Sequence, residues 1–144
     1  MTANAHRGEV DFVVEEKTYL LRLAAGDIAA LQEELKIPTL LMLTKVQNRE
    51  LGYVEIAAIL QASLMRANPK QRFTRNDAYA LMDKVGASTA LNAAITVFIL
   101  GISDPEEREE QARKLAERDA ETEAAEDAST LQQENSAHPL ADRP

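Results

Sequence analysis

The hydrophobic pattern of this chain changes its period once, near Gly26. From Glu9 to Ala24, apolar and polar residues alternate, which places Phe12 and Val14 on one face of an extended segment. Beyond Gly26, apolar residues recur at helical spacing as far as Leu100. The sequence therefore predicts a mostly α-helical fold with one small N-terminal β-hairpin, which is an α+β class.

The predicted hairpin has a clear buried face but two possible registers. Pairing Phe12 with Leu21 would also place Asp11 opposite Arg22, a favourable cross-strand pair. A shift by two residues buries the same face, so both registers remain open. The turn at Glu15–Lys17 contains neither the Gly nor the Asn that tight hairpin turns favour.

Five short packed helices are predicted after the hairpin. The first ends before Pro38, because the residue that precedes a proline avoids the α region. Thr39 can cap the second helix. The residues of that helix that are expected to face the core are Leu40, Leu43 and Val46. The third, over residues 53–66, is apolar nearly all round at its centre and is expected to lie deepest.

The last two helices of the predicted core begin and end at recognisable signals. Thr74 and Asp77 have the spacing of a capping box at the start of the fourth helix, and Gly86 is a natural stop. The fifth runs from about Ser88 to Leu100. Beside its main stripe it carries a second apolar face, formed by Ala90, Ala93, Val97 and Leu100.

The net charge of −8 lies entirely in the C-terminal part of the chain. Residues 1–103 hold 11 acidic and 11 basic side chains, whereas residues 104–144 hold 13 acidic and 5 basic. We therefore divide the chain into a flexible N-terminus (1–8), a helical domain with its hairpin (9–103), an exposed acidic helix (104–127) and a disordered tail (128–144).

Composition argues against an enzyme. The chain has no cysteine, and its two histidines, His6 and His138, lie in the terminal segments. It has no glycine-rich phosphate loop, so neither a metal site, a cofactor nor a catalytic residue is expected. No secretory signal is visible and the apolar runs are far shorter than a membrane span needs, so we expect a cytoplasmic protein that does not cross a membrane.

Two features could bind a partner. The first is a basic segment of four cations with an aromatic residue among them: Arg66, Lys70, Arg72, Phe73 and Arg75. It is either a solvated loop, or a dock for an acidic partner or the chain's own tail, or a phosphate contact. The second is the extra apolar face of the fifth helix, which either packs inside the domain or contacts another subunit.

The assembled pattern resembles the tail assembly chaperones of gene transfer agents and related prophages. The segment Ala-Asn-Ala-His-Arg-Gly-Glu-Val at residues 3–10 is similar to the start of these proteins, and residues 28–35, 54–64 and 87–100 continue the similarity. It covers about residues 3–102. The chain departs from the family at the hairpin turn, where members often have Asp-Gly or Asn-Gly, and at residues 24–25, where many have Thr.

The resemblance implies binding rather than catalysis. Such chaperones bind the tape measure protein, a long helical chain prone to aggregation, and keep it soluble until tail tube subunits polymerise around it. The implied partners are therefore the tape measure protein and, secondarily, the tail tube protein, with self-association left open. The implied location is the bacterial host cytoplasm, and the mature particle would lack the protein.

The alternative hypothesis is a small helical DNA-binding regulator. Residues 53–85 would then supply two helices joined by the basic segment, with the cations on phosphates. The connection is longer than a helix-turn-helix allows, and residues that read bases are scarce in the second helix. Nucleic acid is therefore the less favoured partner.

Overall fold

The computed structural model describes residues 3–121, and its elements follow the predicted order. Their bounds are a short 3-10 helix Ala5–Arg7, strands β1 (Val10–Val14) and β2 (Lys17–Leu21), and helices α1 (Ala25–Leu35), α2 (Thr39–Gln47), α3 (Tyr53–Ala67), α4 (Arg75–Val85) and α5 (Ala87–Ile102). Residues 108–121 are also helical. The predicted α+β class, mostly helical with an N-terminal hairpin, is confirmed. None of the helices within residues 3–121 has both the length and the apolarity that a membrane crossing requires.

Contacts between Cα atoms divide the chain into two units, Met1–Ala112 and Arg113–Pro144. The first contains the hairpin and α1 to α5. In the second, residues 113–121 are helical. The acidic helix was predicted from residue 104, but residues 105–107 form a turn and the helix begins at residue 108. The remainder of that prediction, 122–127, and the predicted tail, 128–144, lie outside the described residues.

The core of the first unit is built around α3 and α5. Helix α5 contacts β1 and each of α1, α2, α3 and α4, whereas α3 also contacts α1, α4 and β2. The centre of α3, from Ile56 to Leu60, is almost completely buried, as its all-round apolar sequence predicts. The two largest fully buried side chains are Phe12 of β1 and Phe98 of α5. The centre of α3 and the middle of α5 are therefore shielded from water.

The prediction for the buried face of α2 was partly wrong. Val46 is buried as expected, but Leu40 is 78% exposed, and Met42 fills the core position with no exposure. Thr39 is the first helical residue rather than the cap, and its hydroxyl donates to the side-chain oxygen of Gln32. The buried face was assigned wrongly because residues 40–43 are all apolar, so their composition does not distinguish the inward face of α2 from the outward one.

The hairpin adopts the shifted register. Phe12 pairs with Tyr19 and Asp11 with Leu20, joined by a two-residue turn in which Glu15 has a φ of 57°. The proposed pair of Asp11 with Arg22 is therefore not formed. Arg22 instead donates its backbone N–H to the carbonyl of Ser63 in α3.

The N-terminal segment, predicted to be flexible, forms local structure from Asn4 onward. The Asn4 side chain caps the 3-10 helix by accepting from the N–H of His6. The carbonyl of Arg7 accepts from Nε of Arg22 at 3.0 Å, and the carbonyl of His6 accepts from Nη1 of Arg108 at 3.0 Å. These contacts attach the segment to the first unit.

Candidate partner-binding groove

The second apolar face of α5 is not available to a partner in this structure. Ala90 and Val97 have no exposure, Leu100 is 1% exposed and Ala93 is 9% exposed. Because neighbouring elements surround α5, these side chains pack inside the first unit. Of the two interpretations of this face, packing within the domain is the one the structure supports.

Two of the four cations of the basic segment form ion pairs with carboxylates. Arg66, near the end of α3, donates from Nε to Oδ2 and from Nη2 to Oδ1 of Asp27, at 2.7 and 3.0 Å. Arg75, at the start of α4, donates from Nη2 to Oε1 of Glu34 at 2.5 Å and from Nε to the side-chain oxygen of Gln61 at 2.8 Å. Both cations are thus bonded to carboxylates of α1 and brace that helix against its neighbours.

The other members of the basic segment lie in the loop between α3 and α4. Lys70 and Arg72 are exposed, and neither forms an ion pair within residues 3–121. Phe73 is half-buried and meets the ring of Tyr19 edge-on, with centroids 6.1 Å apart. Its carbonyl accepts from the side-chain amide of Gln61. Phe73 therefore fixes the loop to the hairpin, and Lys70 and Arg72 are the cations of the segment that have no ion pair within residues 3–121.

The Asp27 carboxylate is held in its charged form. Burial raises the pKa of Asp27. Hydrogen bonds from the Arg66 side chain and the Ala24 backbone, together with the charge of Arg66, lower that pKa by more than burial raises it. The net result is a pKa below the ordinary value of 3.8. The same pair raises the pKa of Arg66. The pair is therefore a stable charged contact near neutral pH.

A groove of about 440 Å³ runs between α1 and α3 and is bounded by these two ion pairs. Part of its lining is apolar. Helix α1 contributes Ala30 and Leu31 to this apolar part, and α3 contributes Ala58, Ala62 and Met65. Met65 is 46% exposed, so the apolar surface reaches solvent. The Asp27–Arg66 and Glu34–Arg75 pairs supply the charged lining.

The groove residues other than the arginines were missed by sequence analysis, although a signal for them exists. Ala58, Ala62 and Met65 recur at i, i+4 and i+7 on α3, and Asp27, Leu31 and Glu34 do so on α1. Such spacing places each set on one helix face. Of the α3 set, only Ala58 belongs to the centre of the helix that the sequence predicts to be apolar nearly all round, and alanine does not distinguish a core position from a groove floor.

The groove has the chemistry of a protein contact. Its carboxylates are already paired with arginines, and no cluster of three or more metal-ligating side chains occurs among residues 3–121. Small alanine side chains leave room for a second backbone to approach closely, and flanking charges can orient a charged partner. The arrangement suits one face of an amphipathic helix.

The structure is thus that of a small helical domain with a preformed groove lined by apolar and paired charged residues. A family model described as "Phage tail tube protein, GTA-gp10" matches residues 7–103. The chain belongs to this family of phage and gene-transfer-agent tail proteins, so its role lies in the building of such a tail. The resemblance found in the sequence is confirmed at this level. Searches of curated proteins and of solved structures each gave no match.

Proposed function

We propose that this protein is a non-enzymatic tail assembly chaperone that binds the tape measure protein. It would keep that chain soluble in the host cytoplasm until the tail tube polymerises, and then leave. Membership of a tail protein family supports the setting. The observation that carries the proposal is the open groove between α1 and α3, whose apolar lining is flanked by two ion pairs.

The groove matches what a long helical partner needs covered. An isolated amphipathic helix exposes an apolar stripe, and such stripes drive aggregation. A groove between two antiparallel or crossing helices can accept that stripe through residues spaced by three and four positions. The alanines at 30 and 62 permit close approach, and Met65, which is 46% exposed, provides accessible apolar area. Leu31 and Ala58 are 3% and 1% exposed and form the floor of the groove.

The charges of the chain fit a transient complex. Arg66 and Arg75 are already neutralised by carboxylates, so the groove does not depend on one sign of charge in its partner. The excess of acidic residues after residue 103 adds repulsion between loaded complexes. Both features favour solubility and release over permanent assembly.

Co-expression with the tape measure protein of the same tail tests this function. The wild-type chain should raise the soluble yield of that partner, and Met65→Glu should abolish the gain by placing a charge in the groove. Val54→Glu is the matched control, because Val54 is also on α3, is 58% exposed and does not line the groove. An equal gain with Met65→Glu and wild type would reject the groove, and no gain with wild type would reject the chaperone.

The second candidate function is a tail tube subunit, which the description of the matched family favours. Quantitative mass spectrometry of purified tails separates the two functions. A chaperone should be absent or present in traces, whereas a tube subunit should be among the most abundant chains. A tape-measure-like gene shortly downstream, with a separate tube gene upstream, would support the chaperone.

The DNA-binding alternative has little structural support. It would place the cations of the basic segment on phosphates, but Arg66 and Arg75 are bonded to Asp27 and Glu34. The connection between α3 and α4 spans residues 68–74, longer than the turn of three or four residues in a helix-turn-helix. A mobility shift at low salt that resists competitor DNA would be needed to restore it.

A further inference from the structure

Helix α3 closes one of the two outer edges of the hairpin. The carbonyl of Leu20 in β2 accepts from the side-chain amide of Asn68 at 3.0 Å, and the N–H of Arg22 donates to the carbonyl of Ser63 at 3.2 Å. Ser63 lies in α3, and Asn68 is its C-terminal cap. The outward backbone groups on the β2 side therefore have partners within the fold.

The opposite edge, which we call the β1 edge, is open. Opposite residues of an antiparallel pair direct their backbone groups either towards each other or both outward. The Leu20 carbonyl points outward to Asn68, so its opposite residue, Asp11, also points outward, as does Val13 two positions further on. Within residues 3–121, β1 pairs with β2 alone, and the N–H and C=O groups of Asp11 and Val13 have no other partner there.

The β1 edge carries a local excess of negative charge. Residues 9–16, which span β1 and its flanks, contain no cation and four acids: Glu9, Asp11, Glu15 and Glu16. Residues 1–103 as a whole are balanced in charge, so this excess is confined to the edge. Among the described residues, none of these four acids forms an ion pair.

The cations of the neighbouring strand are directed elsewhere. The Lys17 ammonium lies 4.6 Å from the centroid of the Tyr19 ring. Nε of Arg22, just beyond β2, donates to the carbonyl of Arg7 at 3.0 Å. Neither cation is paired with a carboxylate of the β1 edge, so an incoming chain would meet negative charge there.

We propose that the β1 edge binds a cationic extended segment of another protein as a third, antiparallel strand. The outward groups of Asp11 and Val13 would supply the backbone hydrogen bonds of such a β-strand addition. A side chain opposite Asp11 would lie on the same face of the sheet, with Cβ atoms about 5 Å apart. Lysine or arginine at that position and at alternate positions would therefore pair with Asp11 and its acidic neighbours.

The residues between those cations should be apolar. They would extend the face of the sheet that carries Phe12, which is buried, and β1 contacts α4 and α5. The expected occupant thus alternates basic and apolar residues, with its basic face towards solvent. We call such an occupant a cationic strand.

Charge argues against the strands that this chain could itself supply. A second copy of β1 would bring its own four acids to the same edge. Residues 122–144 hold five acids and one arginine, so they would also add like charge. The acids that disfavour these segments favour a cationic strand, which is how charge separates right from wrong partners. The β1 edge is not part of the groove, so this partner is additional to the proposed function.

The synthetic peptide acetyl-Ser-Lys-Val-Lys-Val-Lys-Ser-amide, added to the full chain, tests the proposal. Amide exchange followed by NMR should show that the peptide protects the amides of Asp11 and Val13, and added salt should weaken this protection. N-methylation of the first two lysines removes N–H groups that would face β1 and should weaken binding at this edge at least about tenfold.

N-methylation of the two valines is the matched control. Their N–H groups would face away from β1, so this peptide should bind within about threefold of the unmodified one. The two methylated peptides have equal charge and composition. Simple attraction to the acidic residues after residue 103 would therefore treat them alike.

Variants of the chain locate the binding edge. Val13→Pro removes an outward N–H and should weaken peptide binding at least about tenfold, whereas Val13→Thr keeps that N–H and should bind nearly as wild type does. Asp11→Asn should weaken binding several-fold at low salt. Glu33→Gln removes the same charge at an exposed position of α1 and should have little effect. If Val13→Pro does not fold, Asp11→Asn and the methylated peptides decide.

Four results would overturn the proposal. They are amides of Asp11 and Val13 that stay unprotected at saturating peptide, equal affinity of the two methylated peptides, equal losses in Asp11→Asn and Glu33→Gln, and equal protection by a peptide with glutamate in place of each lysine. None of these measurements involves the groove, so failure here leaves the proposed function standing and failure there leaves this edge standing.

Discussion

Arg66 of α3 holds the carboxylate of Asp27 in α1 by two hydrogen bonds, 2.7 Å from Nε to Oδ2 and 3.0 Å from Nη2 to Oδ1. Oδ2 of Asp27 also accepts the backbone N–H of Ala24 at 2.9 Å. One carboxylate therefore links the first turn of α1 to the last turn of α3. Its position at a helix N-terminus is also favourable for a negative charge.

The first prediction concerns the pH dependence of this link. Burial raises the pKa of Asp27, but the hydrogen bonds from Arg66 and Ala24 lower it by a larger amount. The pKa of Asp27 in the folded state is therefore depressed. A depressed pKa contributes stability above the unfolded pKa of about 3.9, and that contribution is lost as pH falls through the folded pKa. Asp27→Asn should therefore lower stability near pH 7 and flatten its fall below about pH 4.

Urea unfolding of wild type and Asp27→Asn between about pH 2 and 7 measures this effect. Arg66→Gln should reproduce much of the loss, and the double variant should lose little more than either single one, because both remove one interaction. Parallel stability curves for wild type and Asp27→Asn across this range would contradict the prediction.

The second prediction concerns the inward face of α2. Met42 has no exposure and Leu40 is 78% exposed. Met42→Ala should cost about 2–5 kcal/mol in free energy of unfolding, because it leaves a cavity. Leu40→Ala should change that free energy by less than about 0.5 kcal/mol. Chemical denaturation of both variants checks the face, and a larger cost at Leu40 would reverse it.

The third prediction contrasts two glycines. A Cβ at Gly101 would lie 3.1 Å from Cβ of Leu23 and 3.2 Å from its carbonyl oxygen, whereas a Cβ at Gly26 would have no neighbour within 4 Å. Gly101→Ala should destabilise by about 1–3 kcal/mol, because the Leu23 backbone cannot easily yield. Gly26→Ala should be neutral or stabilise by up to about 1 kcal/mol. The melting temperature of Gly101→Ala should fall, whereas that of Gly26→Ala should stay the same or rise. Equal shifts in the two variants would refute the close contact at Gly101.

The fourth prediction concerns the start of α4. The Thr74 hydroxyl accepts from the N–H of Asp77 at 3.1 Å, and the Asp77 carboxylate accepts from the N–H of Thr74 at 2.8 Å. Thr74→Ala should cost about 1 kcal/mol of unfolding free energy. Thr89→Ala, at an exposed position of α5, is the control and should cost less than about 0.5 kcal/mol. Equal costs would show that the cap contributes nothing.

Local signals made the helices of this chain predictable. The capping box of Thr74 with Asp77 lies within four residues, so its chemistry can be recognised without knowing the fold. The stop at Gly86 is similarly local, since its φ of 85° favours glycine. The predicted start and end of α4 were accordingly confirmed.

The register and the groove could not be predicted, because distant residues determine them. A two-residue shift buries the same hairpin face, and the observed register has Arg22 bonded to Ser63, which is 41 residues away along the chain. The ion pairs that bound the groove join residues separated by 39 and 41 positions. Nothing in the neighbourhood of Arg66 or Arg75 indicates these partners. The segment was therefore identified as basic, but not as half neutralised.

The central place of α5 has a consequence for synthesis of the protein. The helices before it and β1 all contact it, so the apolar faces of residues 10–85 gain their common partner last. A nascent chain that ends before about residue 102 therefore exposes apolar surface. Such a chain should be susceptible to proteases and to binding by general holdase chaperones. Protection from these factors therefore begins only when residues 87–102 have been translated and α5 can pack against the earlier elements.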